Sequence, residues 1–213
     1  MSRALILLIT LAGAVATVSA SWILLRRPPS PGALAQTRLG DISLVYAPAY
    51  ARFAGGRAGG RLDRLDLAAT LPDFKPAGAV ARPLGGDEAS GLLFLSIGPQ
   101  DSSVDPAERT ATLYDNFLEA DVEEEPSGLI MRRFAQGSPY AGEDLYFDPP
   151  EGRNFAARCA RPAKPPDALP LTCIAAIRID GLDIDARFDR AALPLWATIA
   201  QGTRNFVREI KAR

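Results

Sequence analysis

Two segments of alternating hydropathy around Asp180-Gly181 constrain the fold of this chain more than any other feature. Asp-Gly between two apolar stretches is the strongest short-range signal for a β-hairpin, and residues 171–179 and 182–188 flank it. In the second segment, apolar and charged side chains alternate. A strand with this pattern buries one face and exposes the other, so we predict an antiparallel sheet with one buried face.

Further segments have the composition or the alternation of β-strands. Residues 65–71 alternate and end before Pro72, whereas residues 92–97 form a continuous apolar run that is typical of a central strand. The remaining predicted strands are 41–47, 128–134, 144–147 and 155–159.

Two segments are predicted to be helices. Residues 105–119 begin with Asp105, Pro106 and Glu108, because Asp caps free N–H groups, Pro suits the first turn and Glu reaches back to the cap. Residues 192–211 open around Pro194 and carry apolar or small side chains at 3-4 spacing, namely Trp196, Ile199, Thr203, Phe206 and Ile210.

The apolar stripe of the second helix packs either on the sheet, which we favour, or on a partner helix. The predicted fold class is therefore α+β. In this prediction, an N-terminal transmembrane helix precedes a mostly antiparallel, meandering sheet that two helices cover.

The segment from Ala4 to Leu25 contains no charged residue. At about 1.5 Å per residue, it is long enough to cross a hydrocarbon core of about 30 Å. Arg3 precedes it, Arg26 and Arg27 follow it, and Trp22 lies near the second boundary, where an interfacial indole is favoured. We predict a single span of the inner membrane.

The fate and the orientation of this segment have alternatives. Val18-Ser19-Ala20 resembles a signal-peptidase site, which would release the chain into the periplasm, but the apolar run continues past it. The arginines after the segment mildly favour a cytoplasmic C-terminal domain. The signal-like design and the cysteine pair favour export, and we predict a retained anchor with a periplasmic domain.

Proline and glycine content divides the chain after the anchor. We predict a transmembrane or signal-anchor segment over residues 1–25, a Pro-rich juxtamembrane linker over 26–40 and a single α+β domain over 41–213.

Composition excludes several functions. The chain has no histidine and two cysteines, so histidine-based catalysis, His-ligated metal sites and four-cysteine metal sites are excluded. Of 24 basic residues, three precede residue 36, which leaves 21 against 25 acidic residues, a net charge of −4. A mildly acidic domain does not favour nucleic acid as the partner. We expect no cofactor.

Cys159 and Cys173 lie on two predicted neighbouring strands, where a disulfide is geometrically feasible. The alternative is two buried free thiols, the ordinary state in a cytosolic protein. A redox site is disfavoured because the chain lacks a Cys-x-x-Cys motif. We predict a structural disulfide.

Acidic and aromatic residues lie close together between two predicted strands. Glu143 and Asp144 stand beside Tyr140 and Tyr146, and a pair of carboxylates next to aromatic rings is compatible with glycoside hydrolysis. The same pattern is typical of a polar strand edge. Without a histidine or a nucleotide-binding motif, the chain favours no enzyme class, and we assign no catalytic residue.

Several features together resemble uncharacterised single-pass exported proteins of GC-rich alphaproteobacteria. These features are the N-terminal anchor, the stretch SPYAGEDLYF at 138–147, the cysteine pair and a final helix that begins near LPLW at 193–196. The resemblance covers most of the chain. It implies export and a membrane anchor, and it implies no activity.

The predicted function is that of a membrane-anchored periplasmic interaction protein. Its partner would be an envelope protein, either a complex that it serves as an accessory subunit or a toxin that it neutralises. Two alternatives are a carboxylate-dependent enzyme of envelope glycans and a module that binds a lipid or small ligand between sheet and helix.

Overall fold

A long antiparallel sheet organises the chain. The computed structural model of the protein describes residues 33–78, 91–125, 127–162 and 171–212, and the described elements belong to one compact unit, Leu34–Arg213. In chain order the described strands are β1 (Ala35–Leu39), β2 (Ile42–Tyr46), β3 (Gly60–Arg61), β4 (Leu65–Thr70), β5 (Leu92–Pro99), β6 (Glu123–Glu124), β7 (Ile130–Arg133), β8 (Glu143–Phe147), β9 (Ala156–Ala160), β10 (Thr172–Ile179) and β11 (Leu182–Asp189).

Neighbouring strands of the main sheet are also neighbours in the chain, except that β5 lies beside β11. The main sheet runs β4-β5-β11-β10-β9-β8-β7-β6, with antiparallel pairing throughout. The predicted hairpin around Asp180 and Gly181 joins β10 to β11, with Ile179 opposite Leu182. Both turn residues have positive φ, 51° and 85°, which Asp tolerates and Gly adopts freely. The α+β class and the antiparallel sheet are confirmed.

A small second sheet contains part of the predicted linker. β1 pairs antiparallel with β2 and parallel with β3. The sequence prediction places residues 35–39 in the linker 26–40, yet they form β1, with Ala35, Thr37 and Leu39 buried. The alternation of buried and exposed residues in β1 is short and directly follows a segment rich in proline and glycine, which favours a linker in the sequence prediction.

The C-terminal helix, Trp196–Ile210, packs on the main sheet as predicted. Ile199, Phe206 and Val207 belong to one buried cluster with Phe188 of β11. The predicted range 192–211 is longer because residues 190–195 form a 3₁₀ turn that includes Pro194. The side chain of Asp189 caps this turn by accepting a hydrogen bond from the Ala191 N–H, 2.9 Å.

The predicted helix 105–119 is not a regular α-helix. Its Asp105 cap is present, since Oδ1 accepts from the Ala107 N–H at 2.9 Å. A 3₁₀ turn, Pro106–Glu108, then leads into a π-helical turn, Thr110–Tyr114, and a second 3₁₀ turn, Asp115–Phe117. Tyr114 of the π-helical turn packs edge-on against two rings, those of Phe134 and Tyr140.

The main sheet has an inner face and an outer face. We call inner the face that carries Leu93, Leu95 and Ile97 of β5, which belongs to the main core. The outer face carries Phe94 and Ser96. Segment 105–118 covers the outer face at β8 and β9, where a second cluster forms, consisting of Tyr114, Phe134, Leu145 and Phe147.

The predicted membrane segment, 4–25, lies outside the described residues. Within the described part of the chain, no helix has the length and apolar character needed to span a membrane.

Candidate outer-face binding groove

The predicted disulfide is confirmed. Cys159 of β9 lies opposite Cys173 of β10, their Cα atoms are 4.0 Å apart, and both residues are fully buried in the main core. These are the only cysteines of the chain. A buried disulfide indicates that the domain folds in an oxidising compartment, such as the periplasm or another part of the envelope.

The predicted carboxylate pair is divided between the two faces of β8. Glu143 lies on the outer face, where its Oε2 accepts from Arg158 Nη1 at 2.7 Å. The Arg158 guanidinium in turn lies 4.8 Å from the ring centre of Tyr140. Glu143 and Tyr140 are therefore parts of one outer-face cluster.

Asp144 and Tyr146 lie on the inner face. Asp144 is 4% exposed, and its two oxygens lie 2.8 Å from Arg161 Nε and 3.6 Å from Arg190 Nη1. The Tyr146 hydroxyl accepts a hydrogen bond from Arg190 Nη2. Tyr146 and Arg190 line a cavity of about 470 Å³ together with Glu125, Ser127, Ala191, Leu193 and Pro194.

This arrangement does not favour the glycosidase alternative. Successive side chains of a strand point to opposite faces, so Glu143 and Asp144 do not converge on one bond of a substrate, as that chemistry requires. Each carboxylate is also engaged by arginine. Buried side chains such as Ile199 and Phe188 pack between the C-terminal helix and the sheet, and the inner-face cavity of about 470 Å³ lies at the turn that precedes this helix.

Burial raises the pKa of Tyr146 from 10.0 to about 12, and the positive charge of Arg190 only partly opposes this effect. In the unfolded chain the phenol loses its proton near pH 10, whereas in the folded chain it keeps the proton until about pH 12. The contribution to stability is therefore complete below pH 10 and is lost as the pH rises toward 12.

We expect Tyr146→Phe to reduce the alkaline loss of stability. Between about pH 9 and about pH 11.5, the free energy of unfolding of the wild type should fall more steeply than that of the variant. Burial raises the pKa of Tyr46, Tyr50 and Tyr114 as well, so the variant should keep part of the slope. Urea unfolding at both pH values measures the fall in the free energy of unfolding. An equal fall in the wild type and the variant would contradict the raised pKa of Tyr146.

A groove that contains charged side chains from several strands lies on the outer face of the main sheet. It has a volume of about 530 Å³. Small residues of β5 and β10, Ser96, Gly98 and Ala176, form its floor, and Asp185 of β11 lies between them. The sheet register places Ser96 opposite both Asp66 and Asp185.

One wall of the groove is the segment 101–109, which Arg178 fastens to the sheet. The Arg178 side chain is 11% exposed and donates to Asp183 Oδ1 at 2.6 Å. It also donates to the Ser103 carbonyl at 3.1 Å. The hydrogen bond with Asp183 raises the pKa of Arg178, so this side chain stays charged and holds the wall in place.

The opposite wall contains Asp63 and Arg64. Arg64 Nε donates to Asp66 Oδ2 at 3.0 Å, and the Ser96 hydroxyl donates to Asp66 Oδ1 at 2.7 Å. These bonds fix the polar side chains of the floor. The groove is thus a preformed, polar and charged surface, which suits recognition of another polar molecule.

Sequence reasoning identifies part of this groove. Alternation places Asp183, Asp185 and Arg187 on the exposed side of their strand, as the structure does. The alternation does not predict the contact between Arg178 and the segment 101–109, because this contact joins residues about 75 positions apart, such as Arg178 and Ser103. No local pattern encodes that distance.

Comparison with known proteins gave structural similarity alone. No protein-family model matches the chain, and no curated protein matches its sequence. The chain is similar to Smlt3025, an immunity protein of the Stenotrophomonas maltophilia type IV secretion system, with a TM-score of 0.58 and 15% identity over 85% of this chain and 94% of that chain.

A second similar structure is FrpD, an iron-regulated outer membrane lipoprotein of Neisseria meningitidis. Its TM-score is 0.48, with 10% identity over 84% of this chain and 92% of that chain. At 15% identity, the similarity to Smlt3025 shows a shared fold and nothing more.

Proposed function

We propose that this protein is an envelope-exposed binding protein of the immunity type, which binds a protein toxin and blocks its action. The observation that carries the proposal is the fold shared with an immunity protein of a secretion system over 85% of this chain and 94% of that one. Coverage of this extent means that the two proteins correspond over nearly a whole domain.

Two features of the chain support the proposal. The buried disulfide suits a protein that meets its partner outside the cytosol. The outer-face groove offers a polar surface whose side chains are positioned by hydrogen bonds, and a preorganised surface binds with little loss of conformational entropy. The proposed function needs no catalytic group, because a protein of this type would act by binding.

The location that we propose is the periplasmic side of the inner membrane, with residues 4–25 as a retained anchor. The uncharged run over these residues supports an anchor, and the disulfide supports export. Membership of an alphaproteobacterial exported group remains a prediction.

A competition assay tests the function even while the toxin is unidentified. A recipient strain that lacks this protein is mixed on a solid surface with its otherwise identical parent, and surviving recipients are counted. We expect markedly fewer surviving recipients than with the parental recipient, because the deletion strain has no protein that binds the toxin. The full chain supplied in the recipient should restore survival.

Two controls separate protection from general fitness and from location. The deletion strain grown alone should grow at the parental rate. A form that starts at residue 33, and therefore remains in the cytoplasm, should not restore survival. Equal survival of the deletion recipient and the complemented recipient would refute the proposed function.

A further inference from the structure

We propose that a hollow formed by Arg109, Arg158 and Arg187 at one end of the outer-face groove receives an acidic side chain of a protein partner. This inference rests on the proposed function and specifies where and by which chemistry binding occurs.

The hollow is continuous with the groove. It has a volume of about 140 Å³, and five residues line both spaces, namely Pro106, Arg109, Ala176, Asp185 and Arg187. A partner that lies along the groove therefore reaches the hollow with one side chain. A volume of this size accommodates the end of an Asp or Glu side chain.

Sheet register and the covering segment bring the three arginines together. Arg187 of β11 lies opposite Ile174 of β10, which lies opposite Arg158 of β9. Two strand spacings separate the arginine backbones by about 10 Å. Arg109 reaches the same hollow from the segment that covers β8 and β9. Three arginines thus line one hollow together with Ile174.

The hollow has more positive charge than its own carboxylates neutralise. Glu143 engages Arg158 at 2.7 Å, whereas Asp185 approaches Arg187 only to 3.7 Å. Arg109 donates to three neutral oxygens, the Val104 carbonyl at 2.9 Å, the Ser103 hydroxyl at 3.0 Å and the Tyr114 hydroxyl, and to no carboxylate among the described contacts. Arg109 and Arg187 are therefore the groups with capacity for an incoming anion.

Tyr114 adds a neutral donor to the same wall. Burial raises the pKa of Tyr114, although Arg158 and Arg109 act in the opposite direction. The hydroxyl therefore stays protonated at neutral pH. Planar guanidinium groups bind carboxylates with two parallel hydrogen bonds, and a phenol can donate a third.

The wider charge distribution favours a carboxylate of a protein over a polyanion. Residues 36–213 have a net charge of −4 from 21 basic and 25 acidic residues, so a nucleic acid would be repelled outside the hollow. The groove beside the hollow also contains the carboxylates of Asp63, Asp101, Asp183 and Asp185. A protein surface with one acidic side chain among neutral and basic ones is complementary to this pattern.

The test is charge reversal in the competition assay. The double variant Arg109→Glu/Arg187→Glu is supplied in the deletion recipient in place of the wild-type chain. Loss of one partner of an interfacial charge pair weakens binding about 30-fold or more, the equivalent of about 2 kcal/mol. We expect recipient survival to fall to the level of the deletion strain.

A matched control reverses the same number of charges elsewhere. Arg153 and Arg208 are exposed and line neither the groove nor the hollow, so Arg153→Glu/Arg208→Glu should protect like the wild type. The milder variant Arg109→Gln/Arg187→Gln removes both charges and adds no repulsion. It should protect less than the wild type while its thermal unfolding midpoint remains within a few degrees of the wild-type value.

The outcomes separate this inference from the proposed function. If the wild-type chain protects and both hollow variants protect equally well, the hollow is not the contact, and the proposed function stands. Loss of protection by the control double variant would likewise overturn the assignment to the hollow. If deletion of the protein has no effect on survival, the proposed function fails and this inference fails with it.

Discussion

Replacement of both cysteines by alanine is expected to lower the free energy of unfolding by about 3 kcal/mol. The disulfide joins residues 14 positions apart, and closure of a loop of this length removes much of the conformational freedom of the unfolded chain. Both sulfur atoms also belong to the buried core, so the smaller alanine side chains lose packing as well. A loss of this size is a large fraction of the roughly 5–15 kcal/mol that is typical of a domain.

Urea unfolding of the full chain measures this effect. The Cys159→Ala/Cys173→Ala variant is compared with the wild type, each with and without a reductant. We expect the reductant to destabilise the wild type and to leave the variant unchanged, because the variant has no disulfide to reduce. A stability difference below about 1 kcal/mol would show that the bond contributes less than its loop length implies.

Asp144→Ala is expected to cost about 2–3 kcal/mol of folding free energy. Asp144 is 4% exposed and is the carboxylate that faces both Arg161 and Arg190. Its removal leaves two positive charges close together in a partly buried site. The full cost of breaking a buried ion pair is about 3–5 kcal/mol. The arginine side chains are 23% and 25% exposed, and contact with solvent reduces the cost.

The adjacent carboxylate supplies the matched control. Glu143 is 30% exposed at the side chain and pairs with Arg158, so Glu143→Ala should cost no more than about 1 kcal/mol. Urea unfolding of both variants at neutral pH gives the comparison. Equal losses would mean that burial does not distinguish the two carboxylates. That result would contradict the stronger burial of the ion pairs of Asp144.

The opposite orientation of Glu143 and Asp144 explains why the sequence grouped two acids that the structure separates. Glu143 and Asp144 are neighbours in the chain, and proximity in sequence suggests a shared site. In a strand, however, neighbours point apart. The predicted strand begins at residue 144, and β8 begins at Glu143. The alternation rule, applied to one more residue, separates the two acids.

Local rules of sequence determined the β10–β11 hairpin, most strands of the main sheet, the C-terminal helix and the disulfide. Asp180 and Gly181 tolerate positive φ, the flanking segments alternate with a period of two, and Asp105 has an oxygen that caps a helical turn. Cys159 and Cys173 could be paired because the two strands that carry them are neighbours in the chain. Each of these features depends on residues that are close in sequence.

Tertiary structure alone decided the form of the candidate site. Arg109, Arg158 and Arg187 come from three distant segments, and they meet because β11 returns beside both β5 and β10 while residues 105–118 cross the outer face. The π-helical turn at Thr110–Tyr114 likewise packs its Tyr114 ring against Phe134, 20 positions away in the chain. Periodicity tells which face of a strand a side chain occupies. Strand order and the covering segment decide which charges share that face, because they bring together residues that no local pattern relates.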